Sequence, residues 1–187
     1  MKKIPKDFYN PNEQEWICRC KICNSNLLEG NTPFALEKAI KVFPEIKAKE
    51  VIFEIAICDN CASESRKSLS KQSLTDIETF MTGDQVRENM MKCVEESYEN
   101  GGDTFGYCII TGVPKEFINE FQIIAQCQSG FLLPGTEAFM ISSQGIEIIQ
   151  DLLSPETKEE LDRFKNEHFG IPPEFENILN PGDLVFL

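Results

Sequence analysis

Two Cys-x-x-Cys pairs, Cys20-Lys-Ile-Cys23 and Cys58-Asp-Asn-Cys61, are the residues whose type and spacing point most directly to chemistry. Two residues between cysteines let a tight turn present both sulfurs to one ion with little strain. Two such turns complete the four ligands of a closed tetrahedral site. A set of four thiolates, without histidine or carboxylate, is expected to hold one structural zinc rather than an open catalytic metal. Spacing alone leaves a four-cysteine iron site open as well. Cys18 lies two residues ahead of the first pair and stands as an alternative ligand or a spare thiol. A redox dithiol is disfavoured, because such pairs come singly beside a βαβ pattern.

The elements that must position these sulfurs can be read in turn. The first pair lies in a turn-like stretch behind a polar arm. Thr32-Pro33 reads as a helix start, with Phe34, Leu36, Ala39, Ile40 and Phe43 on an apolar face that stops before Pro44. Residues 51–57 are β-branched and aromatic and read as a strand. From Cys58 the pattern turns helical through Arg66 and Leu69, which places the second pair at a helix start. There, free amides and the helix dipole stabilise thiolate charge. Another helix reaches about Met81 and ends at Thr82-Gly83.

This order of knuckle, strand and helix-borne pair, over residues 16–69, resembles the treble-clef group of zinc fingers. The stretch Ile57-Cys-Asp-Asn-Cys-Ala62 looks like the second half-site in the N-terminal zinc domain of the ClpX protein unfoldases. The resemblance covers a little over a quarter of the chain. It implies a role in dimerisation or in binding clients or adaptors. The loop between half-sites is longer here, since it holds segment 34–43, and nothing resembling an ATPase follows.

Residues 84–100 read as a linking helix with Val86, Met90, Val94 and Tyr98 on one stripe, closed by Gly101-Gly102. Beyond it come a strand over 105–110, apolar stretches at 121–127 and 138–141, and helices over 144–153, 155–168 and 173–179. Leu69–Phe80 aligns without gaps on Leu153–Phe164, sharing Leu-Ser, a hydroxyl residue, acids, an aliphatic and a Phe. Ile55-Ala-Ile-Cys58 is echoed by Ile124-Ala-Gln-Cys127, and Cys20-x-x-Cys23 by Cys108-x-x-Thr111. Duplication accounts for these echoes. So does convergence, because Ser-capped amphipathic helices draw on the same few residues. On the duplication reading, Thr111 and Gly130 stand where Cys23 and Cys61 do, and the remaining two thiols cannot hold a closed zinc.

The expected architecture is therefore α+β with two related small modules. A treble-clef-like zinc module spans 1–83, a linking helix 84–102, and an acidic, metal-free degenerate copy with added C-terminal helices 103–187. The tail from Asn180 to Leu187 is expected to complete a sheet or dock onto a partner.

Composition bounds the function. The 187 residues carry a net charge of −13. Residues 1–83 hold 12 basic and 12 acidic side chains, whereas 84–187 hold 6 and 19, so the excess lies wholly in the second half. Such a surface repels phosphate backbones, so no nucleic acid is expected, and a basic protein partner fits better. The near-neutral first half, with Lys21, Lys38, Lys41, Lys47, Lys49, Arg66 and Lys67, keeps nucleic-acid binding as a lesser alternative. No apolar run follows the basic N-terminus and none reaches a membrane-spanning length, so a cytoplasmic location is expected. Five of the eight cysteines cluster at metal-ligand spacings, which fits a reducing compartment better than a disulfide scaffold.

Catalytic signatures are sparse. The one histidine, His168, ends a long helix, where it serves the helix dipole. A cysteine-dependent or metal-dependent enzyme pairing Cys108 or Cys127 with His168 is the alternative to a non-catalytic interaction protein. No P-loop is present, since Gly101-Gly-Asp-Thr-Phe-Gly106 lacks the following Lys-Ser/Thr. Cys93 is expected to be buried in its helix.

Overall fold

The computed structural model describes residues 2–10, 15–99 and 104–169. The helix 173–179, the tail from Asn180 and the Gly101-Gly102 boundary lie outside them. A short ribbon joins β1 (Tyr9–Asn10) to β2 (Glu15–Trp16). A long hairpin follows, β3 (Phe34–Phe43) and β4 (Ala48–Cys58), then α1 (Asp59–Arg66), α2 (Lys71–Met81) and α3 (Asp84–Glu99). Strands β5 (Glu120–Gln128), β6 (Phe131–Leu132) and β7 (Phe139–Ser142) come next, and α4 (Ser143–Asp151) and α5 (Pro155–Phe169) end the described chain. The five longer-range strands form one antiparallel sheet, β4-β3-β5-β6, with β7 also paired to β5.

Segment 34–43, expected as a helix, is the central strand β3, paired on both edges by β4 and β5. Residues 34–39 of this strand are buried or nearly so on both faces, and two charged residues go inside with them. Glu37 and Lys38 are buried, and the Lys38 ammonium is 3.1 Å from Glu54 and donates to the Tyr9 carbonyl at 3.3 Å. These charges interrupt the alternation of Phe34, Leu36, Ile40 and Val42 that would have marked a strand. The apolar residues left over happen to fall at helical intervals. The strand expected over 105–110 is instead a turn held by isolated bridges at Tyr107 and Cys108.

The sheet is continuous across the expected module boundary. β3 from the first half pairs with β5 from the second, with Glu37 opposite Ile124. The 84–100 helix forms as α3, yet it does more than link. It packs on the 105–113 turn, with the Asn89 amide donating to the Ile109 carbonyl at 3.0 Å and the Tyr107 hydroxyl donating to Glu96 at 2.7 Å. Gly112 fits beneath it because it takes a left-handed φ of 70° and a Cβ there would meet Asn89 Oδ1 at 2.9 Å.

The two segments that align in sequence meet in space. Ser70 caps α2, its Oγ accepting from the Ser73 amide at 3.1 Å. Ser154 likewise accepts from the Thr157 amide at the start of α5 at 3.3 Å. Across the junction, the Ser70 amide donates to Thr157 Oγ1 at 3.0 Å and the Ser154 amide donates to Ser73 Oγ at 2.8 Å. Each helix start thus satisfies a backbone donor of the other.

Candidate metal centre

The first Cys-x-x-Cys pair sits in a hydrogen-bonded knuckle. The Cys20 amide donates to the Ser25 carbonyl at 3.0 Å, and the Cys20 carbonyl accepts from the Asn24 amide at 2.9 Å. Asn24 closes the turn with a φ of 58°, a left-handed conformation that Asn tolerates better than most residues. The Lys21 amide donates to the Ala56 carbonyl at 2.8 Å, which fastens the knuckle to β4. The second pair occupies the exit of that same strand. Cys58 ends β4 and caps α1, and Cys61 lies in the first turn. The hairpin therefore brings together at one point two cysteine pairs with 34 residues between them in sequence.

All four sulfurs, of Cys20, Cys23, Cys58 and Cys61, lie within 4.8 Å of one another. Those of Cys23 and Cys58 are 3.8 Å apart. A tetrahedron with metal–sulfur bonds of ~2.3 Å has edges of roughly 3.8 Å, so the cluster has the size that one metal ion needs. Cys20 and Cys58 are buried, Cys61 is half-buried and Cys23 faces solvent. Four such ligands would complete a tetrahedral coordination sphere around one ion.

Electrostatics distinguish the sulfurs. Hydrogen bonds from the Ser25 hydroxyl and backbone pull the Cys23 thiol down to about 6. Burial pushes Cys58 up, and burial together with hydrogen bonding to Cys58 pushes Cys61 up. A bound cation would oppose the upward shifts of Cys58 and Cys61, because it favours all four thiolates at once. Ser25 supports Cys23 in a way that spacing rules did not reveal. Cys18 is half-buried and does not belong to the four-sulfur cluster, although its carbonyl accepts from the Leu27 amide at 2.8 Å and so braces the knuckle.

The remaining thiols are interior. Cys93, Cys108 and Cys127 are buried, the last two with no exposed surface. Burial pushes Cys127 up to about 12. Burial acts on Cys108 in the same direction, but hydrogen bonds from the Ser142 side chain and backbone and from Thr111 outweigh it and bring that thiol below its usual value. His168 stacks against Phe164 at 4.5 Å and lines a cavity with Arg66, Glu64, Glu160 and Glu167. Neither Cys108 nor Cys127 lines that cavity. No cysteine lines the apolar cavity of about 450 Å³ between α2 and the sheet either, whose polar lining includes Glu37, Arg66, Glu78 and Gln126.

Two expected counterparts are placed elsewhere by the fold. Cys127 lies within β5, opposite Phe34 and Leu132, and Gly130 turns the chain from β5 into β6 with a φ of 81°. Neither begins a helix. The strand-to-helix entry of the second half is at Ser142, which ends β7 and caps α4. The signal was within reach: the 84-residue spacing that aligns Leu69 with Leu153 also puts Cys58 on Ser142 and Cys61 on Gly145.

No family model, curated protein or solved structure matches the chain.

Proposed function

We propose that this chain is a zinc-binding, non-catalytic protein that acts by binding another protein, as an adaptor, a regulator or a neutralising partner. The observation that carries the reading is the convergence of four cysteine sulfurs at tetrahedral spacing. Zinc is the ion that a closed set of four thiolates takes most readily in a structural role. The succession of knuckle, hairpin and helix-borne pair supports a treble-clef-like module. The aligned helices and shared caps support two related modules, the second without a metal. Eight free cysteines suit a reducing cytoplasm.

Support for a protein partner comes from the surface. The acidic excess of residues 84–187 favours a basic partner. Large apolar side chains stand exposed at the β3–β4 turn, where Ile46 is 70% exposed, and after the second turn, where Phe117 is 73% exposed. Their neighbours Pro44 and Glu116 line one surface cavity together with Lys49 and Lys115.

Affinity capture from the native cytoplasm tests the reading, with the wild type, a chelated sample and the I46A/F117A double variant as baits. A partner recovered by the wild type and lost by the double variant is the expected result. Recovery of the same proteins by all three baits, or a catalytic turnover by the purified chain, would contradict it.

A further inference from the structure

The second half contains a site built like the metal centre, bond for bond. In the first knuckle the Cys20 amide donates to the Ser25 carbonyl at 3.0 Å; in the second, the Cys108 amide donates to the Val113 carbonyl at 3.0 Å. The Asn24 amide reaches the Cys20 carbonyl at 2.9 Å, and the Gly112 amide reaches the Cys108 carbonyl at 2.8 Å. Lys21 is tied to the Ala56 carbonyl of β4 at 2.8 Å, and Ile109 to the Met140 carbonyl of β7 at 3.0 Å. Leu27 bonds to Cys18 as Lys115 bonds to Gly106. Bridges join Arg19 to Asn26 and Tyr107 to Pro114. Both turns close on a left-handed residue, Asn24 at 58° and Gly112 at 70°. Every residue in this series is offset by 88 positions within the knuckles and by 84 from β4 to β7.

The strands and helices continue the correspondence, with an offset of 87 from β3 to β5 and of 84 from β4 to β7 and from α2 to α5. Phe34 of β3 pairs with Cys58 as Phe121 of β5 pairs with Ser142. Under that relation Glu37 matches Ile124, and these two residues face each other across the β3–β5 ladder. An antiparallel pair centred on equivalent residues is a local twofold axis, and the reciprocal bonds between Ser70/Ser73 and Ser154/Thr157 obey the same twofold relation. Convergent capping explains one helix pair. It does not reproduce a knuckle, a strand register and a helix entry in the same order along the chain.

We infer that the second half is a converted copy of the metal module, in which Cys108, Thr111, Ser142 and Gly145 occupy the places of Cys20, Cys23, Cys58 and Cys61. The Cys108 sulfur accepts from the Ser142 amide at 3.3 Å, as the Cys20 sulfur accepts from the Cys58 amide at 3.4 Å. It also accepts from the Ser142 hydroxyl at 3.3 Å and the Thr111 amide at 3.4 Å, so residues at two ligand places now bind the third directly. Ser142 Oγ further caps α4 by accepting from the Gly145 amide at 3.1 Å. The fourth place has lost its side chain altogether, and the helix has closed in. A Cβ on Gly145 would lie 3.2 Å from the Cys108 sulfur, 3.1 Å from Ile110 and 2.8 Å from Ile141. Those isoleucines match Ile22 and Ile57 of the first module. Hydrogen bonds and close packing fill the space that a thiophilic divalent cation fills when all four places hold cysteine.

The inference rests on the metal reading of the first site, and the test separates the two. Zinc content is measured for the wild type, for T111C/S142C/G145C and for T111C/S142C, which leaves the crowded Gly145 unchanged. Cobalt absorption is recorded on the same proteins. The wild type is expected to hold about one ion, the triple variant about two, and the double variant a second, weaker cobalt site with three sulfurs that chelator strips first. A wild type without metal would indict the first site. A wild type with one ion, and variants that fold yet stay at one, would overturn the inference. So would a double variant that fails to fold, since both of its substitutions restore a side chain the copy once accommodated.

Discussion

At the residue scale, the four sulfurs are unequal in what their loss should cost. Cys58 and Cys61 sit on the strand–helix junction, so C58S or C61S removes a ligand at the point where α1 begins. Each is expected to abolish stoichiometric zinc and expose the 18–27 knuckle to proteolysis, as followed by elemental analysis and limited digestion. C108S should leave zinc content unchanged. It replaces the buried sulfur that accepts from two backbone amides and a hydroxyl with a smaller oxygen on a shorter bond, which draws the acceptor away from these donors. A cost of about 1–3 kcal/mol in unfolding free energy is expected by denaturant titration. Cys127 supplies a pH-dependent contrast. With its thiol raised to about 12 by burial, the thiolate is scarce at pH 7 and becomes appreciable only toward pH 12. Alkylation mapped by mass spectrometry should miss Cys127 in the native chain at pH 7–9 and find it after denaturation.

At the element scale, the clasp between α2 and α5 offers a clean measurement. T157V removes the acceptor of the Ser70 amide, and S73A removes that of the Ser154 amide. Each is expected to destabilise the chain by about 1 kcal/mol, with a double-mutant cycle showing coupling because both bonds close one junction. Elements with local signals were legible in the sequence. The starts of α2 and α5 were marked by serine caps, β4 by its β-branched run, and the metal site by its paired cysteines. Elements determined by distant partners were not. β3 hides its period behind Glu37 and Lys38, and the fold accommodates Lys38 inside by bringing Glu54 and the Tyr9 carbonyl to it. The second knuckle reads as a strand because its apolar residues serve a turn packed under α3. Its counterpart at Ser142 carries no cysteine to draw the eye.

At the scale of the whole molecule, one sheet unites the half that carries the four-cysteine cluster with the half that carries β5, β6 and β7. A bound structural zinc contributes on the order of 10 kcal/mol to the folding of a small module. Chelation should therefore act unevenly. Amide exchange is expected to accelerate over residues 18–27 and 56–66, while the matching residues 106–115 and 140–150 keep their protection. Among the described residues no helix is long and apolar enough to cross a membrane; the basic protein partner we propose rests on the acidic excess of residues 84–187. All of this depends on one ion held by four sulfurs. X-ray absorption on the chain purified without added metal is the most direct measurement of that claim. Zinc at about one per chain, with four sulfur neighbours at ~2.3 Å, is the predicted result. A folded chain without metal, or an ion with oxygen or nitrogen neighbours, would contradict the account.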